Sequence, residues 1–420
     1  MGKTSFILKA LEELPRFPQI RLNLLFKGAQ TVNGLLFYGR DYFGHDEEAG
    51  ELLNNIALAF GPLEKMETPV IIFIDEADRH PVSLEAVQKL AGLGGKLKVI
   101  YTGSNLENIQ TKNAATGRKC CFDLYPITFA EFLKACGKGP ELKYLKEYSL
   151  ASPLFSEHYH QSLTTLFDLY LRLGGMPRIL DTFIDKQNTA RELPGLIADL
   201  AASIEENVKL VLGEKSRLYE YEDVLRKMAL LSMETLKFSR LQVQHAGQKE
   251  AKKLVNKTVG ARVAHKIRLY DSGKDLSKYI LFDAGILNYL LNGSDLLRQK
   301  IVSLHLALQY ENVVGDEIIA NLPTRDDLYY WKSERGAQVE FLLKSPRLTA
   351  IDVKSAGGNV KSLNSCANYE KEADLLVKIA KERPALDKSH VAKIPNQGLS
   401  RKIPLATIPH YLSGRLLELI

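Results

Sequence analysis

The chain has 420 residues, is 45% hydrophobic and 25% charged, and carries a formal net charge of +6. That length allows two or three domains, each with its own core. The modest charge favours acidic partners such as nucleic acid only mildly. No apolar run approaches the roughly 18 residues a membrane helix needs, and no signal peptide opens the chain. The four cysteines, Cys120, Cys121, Cys136 and Cys366, have neither zinc nor disulfide-framework spacing, which points to a reducing, cytoplasmic setting.

The chain opens MGKTSFILKALEEL. Gly2, Lys3, Thr4 and Ser5 match the end of a P-loop, in which backbone N–H groups cradle phosphates, the lysine reaches the β/γ-phosphates of ATP and the hydroxyl binds Mg2+. The motif's first glycine and preceding strand do not stand ahead of Gly2, so the expectation is a P-loop truncated on its N-terminal side. Phe6 to Leu14 is predicted as the following helix. Strands are expected within residues 20–44 and a helix over Glu47 to Phe60.

Pro69 to Arg79, PVIIFIDEADR, is the centre of the N-terminal half. Five apolar residues, Val70 to Ile74, predict a strand buried on both faces, as in parallel sheets. Acids at the C-terminal end of such a strand stand where open α/β sheets bind ligands. This is the Walker B pattern: Asp75 supports Mg2+ and Glu76 polarises the attacking water. A helix over Val82 to Leu93 and a second buried strand over Lys98 to Tyr101 follow. Thr102, Ser104 and Asn105 then occupy the sensor-1 position of AAA-type ATPases; an ordinary turn would also suit TGSN. Arg118 is a candidate for a positive charge on the γ-phosphate, in cis or toward a neighbouring subunit. Thr128 and Glu131 form a capping box ahead of an apolar helix.

The order GKTS, VIIFIDEADRHP, VIYTGSN, TGR, DLYPITFAEFL, YLRLGGMPRIL, then KYILFDAGIL, QVEFLL and IDVKSAGG resembles bacterial and archaeal AAA-type ATPases that carry a nuclease-like C-terminal domain. The resemblance implies an α/β chain of four parts. These are an AAA-type ATP-binding domain over 1–140, a helical lid over 141–221, a winged-helix-like segment over 222–292, and a restriction-endonuclease-like α/β domain over 293–420. It implies no particular reaction for the last part. Rings are common among AAA-type ATPases, so an oligomer is open.

Leu163, Leu166, Phe167, Tyr170 and Leu171 fall at helical spacing and read as packing within the lid; Gly174-Gly175 and Pro177 interrupt the pattern. A helix is expected near Asp223 to Ser232. From Lys237 to Arg268 nine basic residues face the single acid Glu250, a local balance of +8. Such a face can rest on DNA phosphates, or can simply be solvated. KYILFDAGILNYLL reads as a strand turning into a helix at Asp283. Leu304 to Ala320 is predicted helical and carries Glu311. LYYWKSE, QVEFLL and LTAIDVK read as three short strands.

Asp352 and Lys354 are two apart on a strand and share one face. With Glu340 on the preceding strand and Glu311 on the helix, they resemble the D…(D/E)-x-K site of restriction-endonuclease-like folds. There the acids, Glu340 and Asp352 in this chain, bind Mg2+, and the lysine positions or activates water. The plain alternative is a charged sheet face with Lys354 paired to a neighbour. The leading expectation is an ATPase whose turnover drives the downstream parts. An ATP-regulated, Mg2+-dependent nuclease and an interaction protein with a decayed nucleotide site are the alternatives.

Overall fold

The computed structural model describes residues 3–12, 21–24, 70–74, 97–104, 120, 122–151, 155–185, 193–212, 218–241, 247–273, 276–292, 303–394 and 397–420. The chain groups into two compact units. One comprises Met1–Leu124 with Glu206–Ser216 and Asn256–Arg262; the other comprises Tyr125–Glu205, Arg217–Val255 and Val263–Ile420.

In the first unit, α1 (Lys3–Glu12) precedes three strands, β1 (Arg21–Leu24), β2 (Val70–Ile74) and β3 (Leu97–Tyr101). They form a parallel sheet with β2 in the middle, Leu24 beside Phe73 and Phe73 beside Ile100. The uninterrupted Val/Ile/Phe run of β2 suits a strand flanked on both edges, and Phe73 is fully buried. The helix begins at Lys3 rather than Phe6, so Lys3 and Thr4 form its first turn. Phe6, an apolar residue of this helix, is 61% exposed. The strands expected beyond 24 and the helices expected over 47–60 and 82–93 lie outside the described residues.

The second unit begins with helices α2 (Phe129–Ala135), α3 (Gly139–Glu147), α4 (Glu157–Leu173) and α5 (Pro177–Asp185). The capping box starts α2 as the sequence indicates, with Thr128 N–H donating to Glu131 Oε2 at 2.8 Å. Leu163, Phe167, Tyr170 and Leu171 form the buried stripe of α4. Phe129, Phe132, Phe167 and Tyr170 pack as an aromatic cluster with centroid spacings of 5.0 to 6.1 Å. Helices α6 (Leu193–Leu212), α7 (Leu218–Leu230) and α8 (Gln248–Gly260) follow.

A hairpin of β4 (Ala264–Leu269) and β5 (Ser277–Leu281) leads into α9 (Ala284–Asn292) and α10 (Ser303–Ala320). Next come β6 (Leu328–Lys332), β7 (Gln338–Leu343), β8 (Thr349–Val353), α11 (Lys361–Tyr369) and β9 (Leu375–Ile379). The chain closes with β10 (Ala385–Asp387), β11 (Val391–Ile394), β12 (Leu399–Lys402), β13 (Leu405–Ile408) and the short α12 (Leu416–Leu419). Eight strands make one mixed sheet in the order β10-β13-β9-β8-β7-β6-β4-β5. β6, β7 and β8 form an antiparallel meander, and β8, β9 and β13 run parallel with α11 crossing over between the first two.

Two cores sandwich this sheet. Leu363, Cys366 and Ala367 of α11 pack with Val339, Leu342, Ala350 and Leu376 on one face. α10 covers the other. A Cβ on its Gly315 would stand 2.7 Å from Ile280 Cδ1 and 2.8 Å from Phe341 Cζ, so the absent side chain sets how closely that helix approaches. The strands assigned from sequence to a winged-helix-like segment, β4 and β5, join the same sheet as the C-terminal strands, Arg268 pairing in register with Tyr329. The grouping by contacts thus keeps 125–205, 217–255 and 263–420 together, where the sequence reading separates lid, winged-helix-like and terminal parts.

Candidate functional sites

The first site lies in the N-terminal unit. Lys3 and Thr4 stand in the opening turn of α1, where free N–H groups and the helix dipole favour a phosphate. β3 ends at Tyr101, and the chain then passes through buried Thr102 to Ser104. Lys3 Nζ donates to Ser104 Oγ at 2.9 Å, joining two residues 101 positions apart. The lysine of the GKT motif thus meets the strand tip assigned to sensor 1. Ser5 is exposed. Gly2, Asp75, Glu76, Asn105 and Arg118 lie outside the described residues. The lysine and hydroxyl of this turn fit a Mg2+-nucleotide: Lys3 would hold phosphate oxygens and Thr4 the metal.

The second site is in the C-terminal unit, where Glu311, Glu340, Asp352 and Lys354 converge. Glu311 is on α10, Glu340 on β7, Asp352 on β8 and Lys354 one residue past its end. Lys354 Nζ donates to Asp352 Oδ1 at 2.7 Å, and Val353 N–H donates to Glu340 Oε2 at 3.2 Å. His410 Nε2 donates to Lys354 O at 2.9 Å and fixes that backbone. A Cβ on Gly358 would lie 3.2 Å from Lys354 Cγ, so glycine there lets the following loop pass over the lysine. Burial, together with the Asp352 carboxylate, pushes the Glu340 carboxyl well above its usual range. Burial likewise lifts Glu311 to about 7, against the pull of Lys278 and Lys354. Burial draws the Lys354 ammonium down, but its bond to Asp352 and the nearby acids outweigh that and raise it.

Among the described residues no three His, Cys, Asp or Glu side chains are arranged to hold a metal ion. Glu340 and Asp352 are therefore two acids, not a complete protein cage. They fit Mg2+ of the kind that arrives with a phosphate, which needs one or two carboxylates and keeps its waters. Asp352 Oδ2, buried and without a hydrogen-bond partner, is the oxygen such an ion would take.

Sequence reasoning missed the residues that hold the unit's helical part to its sheet. Asp283 is buried and precedes α9; its Oδ1 accepts from Ile286 N–H at 2.9 Å and its Oδ2 from Gly175 N–H at 2.7 Å. Burial raises its carboxyl to about 6, against the backbone bonds. Gly174 has φ +75°, and a Cβ on Gly175 would stand 2.2 Å from Ile127 O. Glu317 Oε1 accepts from Phe129 N–H at 2.8 Å and lies 3.0 Å from Tyr170 Oη, which is also 2.8 Å from Ile127 O. The tyrosine's one proton is shared between the two acceptor oxygens. Burial raises the Glu317 carboxyl to about 7. Asp283, Asp316, Glu317 and His265 line a small recess of about 20 Å³, room for one water. The segments PITFAEFL, LGGMPRIL and FDAGIL are thus the parts of one buried clamp. Their legible signal was an acid or a glycine pair at an element end beside apolar runs.

Comparison with known proteins finds a similarity in the N-terminal part. Residues 1–133 match the family described as AAA domain. Among solved structures, the Walker-type ATPase PABY2304 of Pyrococcus abyssi is similar at 14% identity and a TM-score of 0.36, over 69% of this chain and 77% of that one. A search among curated proteins found no match. No helix among the described residues is long and apolar enough to cross a membrane.

Proposed function

We propose that the chain is an ATPase whose N-terminal AAA-type domain binds and hydrolyses ATP with Mg2+ and so drives its C-terminal unit. The observation that carries this reading is the hydrogen bond from Lys3 to Ser104, which brings the phosphate-binding lysine to the sensor-1 strand tip within the AAA-matching segment. Lys3 would hold the β/γ-phosphates, Thr4 and Asp75 would hold Mg2+, Glu76 would polarise water, Ser104 or Asn105 would orient it, and Arg118 would add charge at the γ-phosphate. The test is thermal unfolding with and without Mg2+-ATP for the parent chain and Lys3→Ala. Tight binding raises stability by about 2.7 kcal/mol at a ligand excess of about 100 Kd. A shift in the parent that vanishes in Lys3→Ala supports the site; no shift in the parent sinks it and favours a decayed nucleotide site.

A second reading concerns the C-terminal unit: an Mg2+-dependent phosphodiesterase acting on nucleic acid. It is favoured by the convergence of Glu311, midway along α10, with Glu340 on β7, Asp352 on the antiparallel neighbour β8 and Lys354 just past it. A nucleic-acid partner has support in α8, which buries Ala251, Leu254 and Val255 and turns Lys249, Lys252 and Lys253 to solvent. Plasmid nicking that Asp352→Ala abolishes would establish this reading; intact DNA after incubation with Mg2+ and ATP would refute it.

A further inference from the structure

The stretch from Lys388 to Leu417 contains five cations, Lys388, Lys393, Arg401, Lys402 and Arg415, and no Asp or Glu. Two of the five work inside the fold. Arg401 donates to the carbonyls of Ala367, Glu370 and Ala373 at the end of α11, and Arg415 donates to those of Leu145 and Tyr148. The other three are exposed and lie on or beside the β11–β12 hairpin. Register fixes which way that hairpin faces. Val391 pairs with Lys402 and Lys393 with Ser400, so these four residues share one side of the ribbon. Lys393 and Lys402 are diagonal neighbours there, about 7 to 8 Å apart. The opposite side is taken up by the domain. Ala392 is fully buried in the core under α11, Asn368 Nδ2 donates to Ala392 O at 3.0 Å, and Arg401 is engaged as described. Asp387, the nearest acid in sequence, accepts from the Ser389 N–H and hydroxyl, each at 2.9 Å. No Phe, Tyr or Trp occurs from Lys388 to Lys402, and Leu399 is the one large apolar side chain exposed among the described residues there.

A side of lysines and a hydroxyl, with no ring on which bases could stack and no apolar strip to enter a bilayer or hold a peptide, suits the phosphate backbone of a duplex. We propose that the outer side of β11–β12, with Lys388, Lys393 and Lys402, is a contact surface for the phosphates of duplex DNA. The inference rests on the phosphodiesterase reading for why a duplex is bound, and on register and charge alone for the surface itself. α11 links the two. It begins seven residues after Lys354, packs on the sheet that holds Asp352, and carries the hairpin through Asn364, whose Oδ1 lies 2.8 Å from His390 Nε2, and through Asn368. These lysines position a duplex and read no sequence.

The test is fluorescence anisotropy of a labelled DNA duplex with the full chain, in EDTA so that no metal-dependent cleavage occurs, over a series of salt concentrations. The proteins are the parent, the triple variant Lys388→Gln, Lys393→Gln, Lys402→Gln, and the same three positions changed to Arg. The slope of log Kd against log salt should fall in the glutamine variant by about 0.9 for each lysine that meets a phosphate, about 2.7 for all three, and the arginine variant should restore it. The loss should be the same for duplexes of different sequence. A parent that does not bind, a slope that falls by less than one such contact, or a parent that binds the single strand or phosphatidylserine vesicles more tightly than the duplex would overturn the assignment. The three side chains are exposed, so the glutamine variant keeps its core, which far-UV circular dichroism checks. Plasmid nicking with Mg2+ is scored separately. Binding that depends on the hairpin without nicking keeps this surface and removes the phosphodiesterase, whereas nicking by the parent with unaltered binding in the glutamine variant does the reverse.

Discussion

Replacing Asp283 with alanine should loosen the joint between α4 and α9, and by an amount that depends on pH. Two buried N–H groups, Gly175 and Ile286, lose their acceptor. At roughly 1 to 3 kcal/mol for each orphaned donor, the loss is about 4 kcal/mol when the carboxyl is protonated. An opposing effect enters as pH rises. The folded carboxyl sits at about 6 against 3.8 in the unfolded chain, so the folded state binds the proton more tightly. That stability is fully present below about 3.8 and is lost as pH climbs through 6, a fall of about 3 kcal/mol that alanine lacks. The gap between Asp283→Ala and the parent should therefore narrow from about 4 kcal/mol at pH 4 to about 1 kcal/mol at pH 7.5. Urea unfolding followed by the fluorescence of Trp331, the chain's one tryptophan, reads the second unit directly, since that side chain is buried in its sheet. A gap that widens with pH, or an alanine variant as stable as the parent at pH 4, would refute the clamp.

Gly175→Ala should cost about 3 kcal/mol by the same assay because its Cβ meets backbone, whereas Gly315→Ala, whose Cβ meets only the side-chain tips of Ile280 and Phe341, should cost less. Glu317→Gln should flatten the pH dependence of unfolding between about 4.5 and 7. The raised carboxyl contributes stability present below 4.5 and lost through about 7, at most about 3 kcal/mol. Ser104→Ala should leave nucleotide binding, measured by calorimetry, within about 1.5 kcal/mol of the parent, since it removes one hydrogen bond. Lys3→Ala should remove binding altogether; equal losses in the two variants would show that Ser104 itself binds the nucleotide.

What could be read in advance followed periodicity. Val70–Ile74, the meander of β6 to β8, and the turn of KYILFD into a helix are runs whose apolar pattern and terminating residues leave few options. Asp352 and Lys354 were legible as a pair because strand geometry puts alternate residues on one face. The burial of Lys278 was not legible, because a lysine inside SKYIL reads as a solvent-facing exception until the sheet shows it buried. Asp283 and Glu317 were missed for a related reason. Their partners, Gly175 and Phe129, are 108 and 188 positions away, and no local pattern encodes a contact of that span. β13 was hidden differently: LATI between two prolines is short, yet it extends the parallel edge beside β9.

Helices α6 and α8 each begin among residues grouped with the second unit and end among residues grouped with the first. The chain therefore changes unit in the middle of continuous helix, at 205/206 and at 255/256. No single scissile point yields two self-sufficient fragments: a truncation that removes 1–124 would leave Glu206–Ser216 and Asn256–Arg262 stranded from the residues they group with. Dissecting the N-terminal unit from the rest of this molecule is thus a matter of point substitution in the intact polypeptide, not of cutting it.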